Sequence, residues 1–423
     1  MSTLRVAWIA VAGAALVLSA CNDGNSHNDS SPHITSKIAI PSIGGSSNFS
    51  FDLGTVDQSR ALYYFTDRNN KSVDVVDIHN NTLVRQVTGF TGCNTGPTCA
   101  GANNDKSGPN GVDVIPNTNF IFVGDVNAVR VIDTNTWTVV KSINIGGTSG
   151  LRADEGCYDP DHNIYMISSP GESPPFATFI DVTTQKVIAT LLFTDPGTGP
   201  TGPASAGLEA CAYDHATASF LVNNDGSTAN GRGELDVIPA SAILTGTPSQ
   251  PVVLTIPTIT PGSGWKIFPE GNCDPTGLAL GPGTEVAVSC RQGNAGEPLT
   301  IEFLDRVTGA MIATINAGGG DQIAYDPGTN RYFVAASRWT SNGLSSGSAC
   351  GTSQPCVPTL FIIDASSHQV VSSLTTGNNA HSVAYDAAGR QVYLPYSSAA
   401  APGGCLNCQI NPEGGVLVYQ LPN

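Results

Sequence analysis

Charge is scarce in this chain, and positive charge scarcer still. Only 12% of residues are Asp, Glu, Lys or Arg, with 18 basic against 34 acidic side chains, where soluble domains typically carry roughly 25% charged residues. The formal net charge of -16 excludes a nucleic-acid binder, which needs basic surface to neutralise phosphates. Long apolar runs are lacking too: Val6–Ala20 is the longest, and it is too short to span a bilayer. There is no helical periodicity, no phosphate-cradling glycine loop and no HExxH pair. Gly343-Leu-Ser345-Ser-Gly347 fits the nucleophile-elbow spacing but sits in a Ser/Gly stretch, not between a strand and a helix. Asp159-Pro-Asp161-His-Asn163 begins like a calcium loop, yet Pro170 stands where the closing Glu is needed, so it reads as a turn. Cys405-Leu-Asn-Cys408 is followed by Gln409 rather than His, which excludes c-type haem, and one such pair makes no zinc site. What is present is turn material, 47 Gly and 28 Pro, and 40% hydrophobic residues, enough to exclude wholesale disorder.

The N-terminus carries an address. Arg5 precedes the apolar run, which ends in Leu18-Ser19-Ala20-Cys21, and this pattern reads as an export signal. The last four residues resemble the lipobox of bacterial lipoproteins. That resemblance implies lipidation of Cys21 and a cell-envelope protein, and Asn22 in place of Asp favours the outer membrane. The expected organisation is a signal peptide over 1–20, a lipidated tether over 21–33 and one folded domain over 34–423. Of the 11 cysteines, all but Cys21 are disulfide candidates of an oxidising compartment: Cys93, Cys99, Cys157, Cys211, Cys273, Cys290, Cys350, Cys356, Cys405 and Cys408. Cys273 and Cys290 flank a hairpin and are expected to pair within it.

The chain repeats. Val73-Asp-Val-Val-Asp77 recurs as Val129-Arg-Val-Ile-Asp133, Thr178-Phe-Ile-Asp181, Ile301-Glu-Phe-Leu-Asp305 and Leu360-Phe-Ile-Ile-Asp364, with weaker copies at Leu235–Pro239 and Val416–Gln420. A second apolar pair follows each strong copy, as in Leu83-Val84 and Val370-Val371. Alternating β-branched residues, an Asp able to cap its own turn and a second strand make a hairpin. Two further strands precede each phrase, as in His381–Asp386 with Gln391–Pro395. Repeats of about 57 residues mean a propeller or solenoid. Seven repeats of four strands predict an all-β, seven-bladed β-propeller. The last repeat lacks its fourth strand, and Thr35–Ile40 is expected to supply it, closing the ring without an open edge.

Leu62-Tyr-Tyr-Phe-Thr-Asp-Arg-Asn-Asn-Lys-Ser-Val-Asp-Val-Val-Asp77 resembles the YVTN-type repeat of bacterial propellers. The resemblance covers most of the mature chain and is strongest in repeats 1, 2, 6 and 7. Repeats 4 and 5 depart from it at Pro239 and Gly281. It implies the fold and leaves activity open, since similar propellers bind proteins, ligands, haem or metal.

Loop lengths point to a site. Turns between the first and second, and third and fourth, strands are short. The long loops are expected on the other face: Thr91–Gly108, Pro170–Phe176, Asp195–Ala206, Asn223–Glu234, Thr258–Asn272, Arg291–Pro298, Trp339–Pro358 and Ser397–Gly415. Long loops gathered on one face of a rigid ring favour binding there. The innermost strands begin at that face, which puts Asp52, Asn110, Glu155, Glu209, Thr276, Asp321 and His381 at one level of the channel, with Asp154 and Asp274 as register alternatives. Carboxylate and amide oxygens suit calcium, and His381 adds the option of zinc. The arrangement resembles the cation site of gluconolactonase-type propellers, with Asn110 in Pro-Asn-Gly-Val the closest match; a water-filled polar channel fits equally. Arg68, Arg291 and Arg338, each at the end of a second strand, are expected to rim the same face with Trp265 and Trp339 in neighbouring loops. They would either recognise an anionic or sugar-like ligand or pair with the ring carboxylates. Two functions follow: a binding or scaffold module whose partner is a protein or small molecule, or a metal-dependent, lactonase-like hydrolase.

Overall fold

The structure is a computed structural model describing residues 31–41, 49–199, 207–347, 356–397 and 414–422. It contains seven sheets, one for each repeat read from the sequence. From inside out, blade 1 is Phe51–Asp57, Leu62–Asp67, Ser72–Asp77 and Thr82–Thr88. Blades 2, 3 and 4 start at Val112–Val114, Gly156–Asp159 and Leu208–Asp214; blades 5, 6 and 7 start at Pro275–Leu280, Ile323–Asp326 and Ala384–Asp386. These innermost strands touch in order around the ring, and that of blade 7 touches that of blade 1. The fold is a seven-bladed β-propeller.

The core consists of seven layers, one between each pair of neighbouring blades, the last joining blade 7 to blade 1. Side chains alternate across a strand, and that alternation builds the layers. Tyr63 and Phe65 pack against blade 7, while Tyr64, between them, packs against blade 2. Middle strands are therefore apolar on both faces, which is why they read as nearly continuous hydrophobic runs. The recurring second apolar pair lies on the outer strand, where one face meets solvent: Val84 is 51% and Val371 48% exposed.

The repeated Asp acts at the same place in each hairpin. Asp77, Asp133, Asp181, Asp305 and Asp364 accept hydrogen bonds from backbone N–H groups two or three residues on. The residues closing these turns, Asn81, Trp137, Gln185 and His368, have left-handed φ near +50° (52, 57, 53 and 51). In five blades a bulge precedes the Asp at the same register, as between Val75 and Val76. Asp159 forms a turn of this kind with Asp161 and His162, so the calcium-like stretch is a hairpin turn.

Closure of the ring occurs as read. His33–Ile38 pairs antiparallel with Gly415–Gln420 as the outer strand of blade 7, beginning two residues earlier than Thr35. Blade 4 corrects the loop assignment. Thr258–Asn272 is not a channel-face loop, because Lys266–Pro269 within it is the outer strand of that blade. The chain leaves Pro239 through a short helix, Ala240–Ile243, and runs Val252–Thr255 parallel to the outer strand of blade 3 before returning. Trp265 consequently packs against the layer between blades 3 and 4. Pro239 departs from the repeat because it leads into that helix. At Gly281, a β-carbon would lie 1.6 Å from the Tyr332 hydroxyl, so no side chain fits.

Cys93–Cys99, Cys157–Cys211 and Cys273–Cys290 are disulfides, and Cys356 is disulfide-bonded as well. Cys273–Cys290 links two strands' ends within blade 5, as expected, whereas Cys157–Cys211 ties blade 3 to blade 4. Cys21, Cys350, Cys405 and Cys408 lie outside the described residues. The disulfides are those of an extracellular or periplasmic protein. Among the described residues, no helix is long and apolar enough to cross a membrane.

Candidate site at the channel mouth

Neighbouring innermost strands converge at the axis, and their first residues lie close together. Gly111 donates its N–H to Asp154 O at 2.9 Å, and a β-carbon there would lie 2.2 Å from that oxygen. Only glycine permits this approach. Side chains just before or within the innermost strands then point into a cavity of about 440 Å³ at the channel mouth. Asp52, Glu155, Glu209, Asp321, His381 and the register alternative Asp154 all line it, as do Arg68, Arg291 and Arg338.

The remaining expected members lie elsewhere. Asn110 is fully buried behind the wall: its Oδ1 accepts from Arg68 Nε at 3.1 Å and Nη2 at 2.8 Å, and its Nδ2 donates to Ser107 O and Ala153 O. It braces Arg68 and does not face the cavity. Thr276 is buried too, donating to backbone carbonyls of Ser289 and Gly320. Asp274 pairs with Arg232, which also pairs with Glu297 at 2.7 Å, away from the cavity. Trp339 packs edge-on against Phe361, ring centroids 4.8 Å apart, and lines no part of the cavity.

Three ion-pair groups form the walls. Arg68 pairs with Asp52 and donates to Phe51 O at 3.2 Å. His381 completes this group: its ring stacks on Phe51 at 4.6 Å and 9°, Nδ1 donates to Asn379 O at 2.7 Å, and Nε2 stands 3.5 Å from Asp52 Oδ1. Burial opposes the Asp52 charge, but Arg68, His381 and Arg152 outweigh it and hold the carboxyl well below its usual range. Burial likewise opposes a charged His381, and the Asp52 contact with the Asp321 charge lifts it above its ordinary value. In the second group, Arg152 bridges Asp154 at 2.8 Å, Asp105 at 3.3 Å and Asp52 at 3.8 Å. Burial, with Asp52 adding to it, still pushes Asp154 up to about 7. The third group is Arg291 with Asp225 at 2.7 Å and Glu209 at 3.4 Å. Burial and Asp225 raise Glu209 well above the carboxylate range against the pull of Arg291.

Three lining groups are left over. Glu155 is 7% exposed, and among the described residues its carboxyl accepts no hydrogen bond. Burial raises it well above its ordinary value, and the charges of Asp154, Glu209 and Asp321 add to the effect. Asp321 and Arg338 also make no side-chain hydrogen bond or ion pair among the described residues.

Arg152 lies outside the pattern of Arg68, Arg291 and Arg338, which stand at the ends of second strands. Its signal was its place in Leu151-Arg-Ala-Asp-Glu155, two residues before a carboxylate aimed at the axis. The donor set does not fit the expected calcium or zinc centre. Among the described residues, the one triple of metal-type ligand atoms within 4.8 Å of one another is Cys273, Cys290 and Glu302, and there both sulfurs are spent in a disulfide. In the cavity, four guanidinium groups stand among the carboxylates.

No protein-family model and no curated protein matches the chain. Among solved structures it is similar to a chain of hydrazine synthase from Kuenenia stuttgartiensis, with a TM-score of 0.59 over 85% of this chain and 95% of that one. At 12% identity this similarity concerns the propeller fold alone.

Proposed function

We propose that the protein is an exported, lipid-anchored β-propeller of the YVTN type that binds a small polar ligand at the channel mouth. The propeller is consistent with a binding or scaffold module, and the disulfides with an extracellular or periplasmic setting. One observation carries the reading: a cavity of about 440 Å³ walled by ion pairs yet retaining groups of both signs that pair with none of them. Ligand pockets span roughly 300–1,000 Å³ and hold a few convergent polar groups. A lactonase-like hydrolase would need a metal to activate water, and the donor set described above supplies no such centre.

The test is a melting-temperature screen of purified protein against neutral sugars, carboxylates, amines and amino acids. A hit should raise the wild-type midpoint and lose that effect in Arg338→Gln. A complete absence of hits refutes the reading. The anchor is tested separately: Cys21→Ala should move the protein from carbonate-washed membranes to the soluble fraction, and a variant that stays in the membranes overturns the lipidation.

A further inference from the structure

Charge arithmetic within the cavity narrows the ligand, on the premise that the mouth is a binding site. Arg68, Arg152 and Arg291 each form an ion pair with a carboxylate. Removing those groups leaves Glu155 and Asp321 on the acidic side and Arg338 on the basic side, all facing the same space. Glu155 is the most telling of the three. It is a carboxyl more than nine-tenths buried, aimed into a cavity, and without a hydrogen-bond partner among the described residues. Its oxygens are not sealed from solvent and have no protein donor, so they are open to a donor that a ligand brings. A simple anion would meet Arg338 but also two carboxyls; a simple cation would meet the carboxyls but also four guanidiniums. A metal ion is disfavoured by the same spread of donors. An apolar ligand would strand every one of these groups.

We propose that the cavity takes a small zwitterion, an amino-acid-like molecule whose carboxylate is held by Arg338 and whose ammonium sits between Glu155 and Asp321. Arg338 offers the planar fork that matches a carboxylate in bidentate fashion. The ammonium offers three donors to two acceptor groups that lack any. Burial and its acidic neighbours favour the protonated form of Glu155 in the empty cavity, and the arriving ammonium favours the ionised form. Ion pairing with the incoming charge favours that release.

The experiment is titration calorimetry of the full-length protein with glycine, 4-aminobutyrate and 6-aminohexanoate, a series that varies the charge separation. Acetate and methylammonium serve as single-charge probes. At least one member of the series should bind, and both single-charge probes should bind at least tenfold more weakly. Binding heats in buffers of different ionisation enthalpy should show proton release on binding, lost in Glu155→Gln. Glu155→Gln and Arg338→Gln should each weaken binding at least tenfold while melting no lower than wild type, and Arg338→Lys should recover part of the loss. Should a substitution unfold the protein, the single-charge probes and the proton count on wild type decide alone. The inference is overturned if acetate or methylammonium binds as tightly as every zwitterion, or if both variants bind unchanged. A neutral or singly charged ligand emerging from the screen above would sink the zwitterion while leaving the binding module standing. No ligand of any kind would sink both.

Discussion

Asp67 and Asp74 are fully buried in blade 1, and they show how this acidic chain tolerates its charge. Asp67 accepts from the Asn70 amide at 2.9 Å, and Asp74 accepts from Ser72 Oγ at 2.7 Å. Burial, with Asp74 beside it, raises Asp67 well above the usual carboxylate range. Burial raises Asp74 from 3.8 to about 6, with Ser72, Gln86 and Asp67 opposing. A carboxyl whose pKa rises on folding stabilises the fold fully below its unfolded value and loses that contribution as pH climbs through the folded one. Stability should therefore fall between pH 4 and 6, by an amount on the order of 3 kcal/mol from this group. Asp74→Asn should flatten that fall and exceed the wild type at pH 7. Urea unfolding at several pH values checks this, and parallel profiles for the two proteins would refute it. Glu155 and Glu209 are buried carboxyls of the same kind, but they face a cavity rather than a packed layer.

At the scale of elements, two connections do more than their length suggests. His33–Ile38 contributes the outer strand of blade 7, and Ile38 belongs to the layer between blades 7 and 1. Its removal would expose the edge of Gly415–Gln420 and open that layer. Deleting 33–38 should lower the melting temperature of the whole domain, and an unchanged value contradicts the closure. Cys157–Cys211 joins the innermost strands of blades 3 and 4 across 54 residues. A loop of that length implies about 4 kcal/mol in the chain-entropy model, against about 2 kcal/mol for a loop of six residues. The double variant Cys157→Ser, Cys211→Ser should therefore be destabilised more than Cys93→Ser, Cys99→Ser in guanidinium titrations. The reverse order would show that strain or residual structure, not loop closure, sets the balance.

For the whole molecule, each blade shares its core with both neighbours, and no blade owns a layer of its own. Closure removes the free ends at which a linear repeat array frays. One cooperative transition is the expected outcome. Trp137, Trp265 and Trp339 pack in three different layers, so their fluorescence and far-UV circular dichroism should report the same midpoint. Distinct midpoints would mean that the ring unfolds in sections. A rigid ring of this kind holds the channel mouth in place, which is what a preformed mixed-charge cavity requires.

Repeat number, strand order, ring closure and the local Asp-capped turns were legible in the sequence because each depends on alternation and turn chemistry within one repeat. The axial level of Asp52, Glu155, Glu209, Asp321 and His381 was legible for the same reason, since equivalent positions of equivalent strands must fall at one height. Register alone could not distinguish a side chain facing the axis from one facing a neighbouring blade. Asn110 and Thr276 occupy the expected level yet turn into the wall, because that choice depends on which partner lies across the interface. Arg152 and Asp225 entered the site through contacts between blades, and those have no period. Val252–Thr255 crossed to blade 3 because an exposed outer edge accepts any strand that can reach it, a matter of space rather than pattern. The sequence by itself determined the propeller, its closure and the height of the carboxylate ring, all consequences of local periodicity. Only the tertiary structure decided which arginine meets which carboxylate, and so which three groups remain unmatched, because pairing is settled by distance between groups that the chain holds far apart.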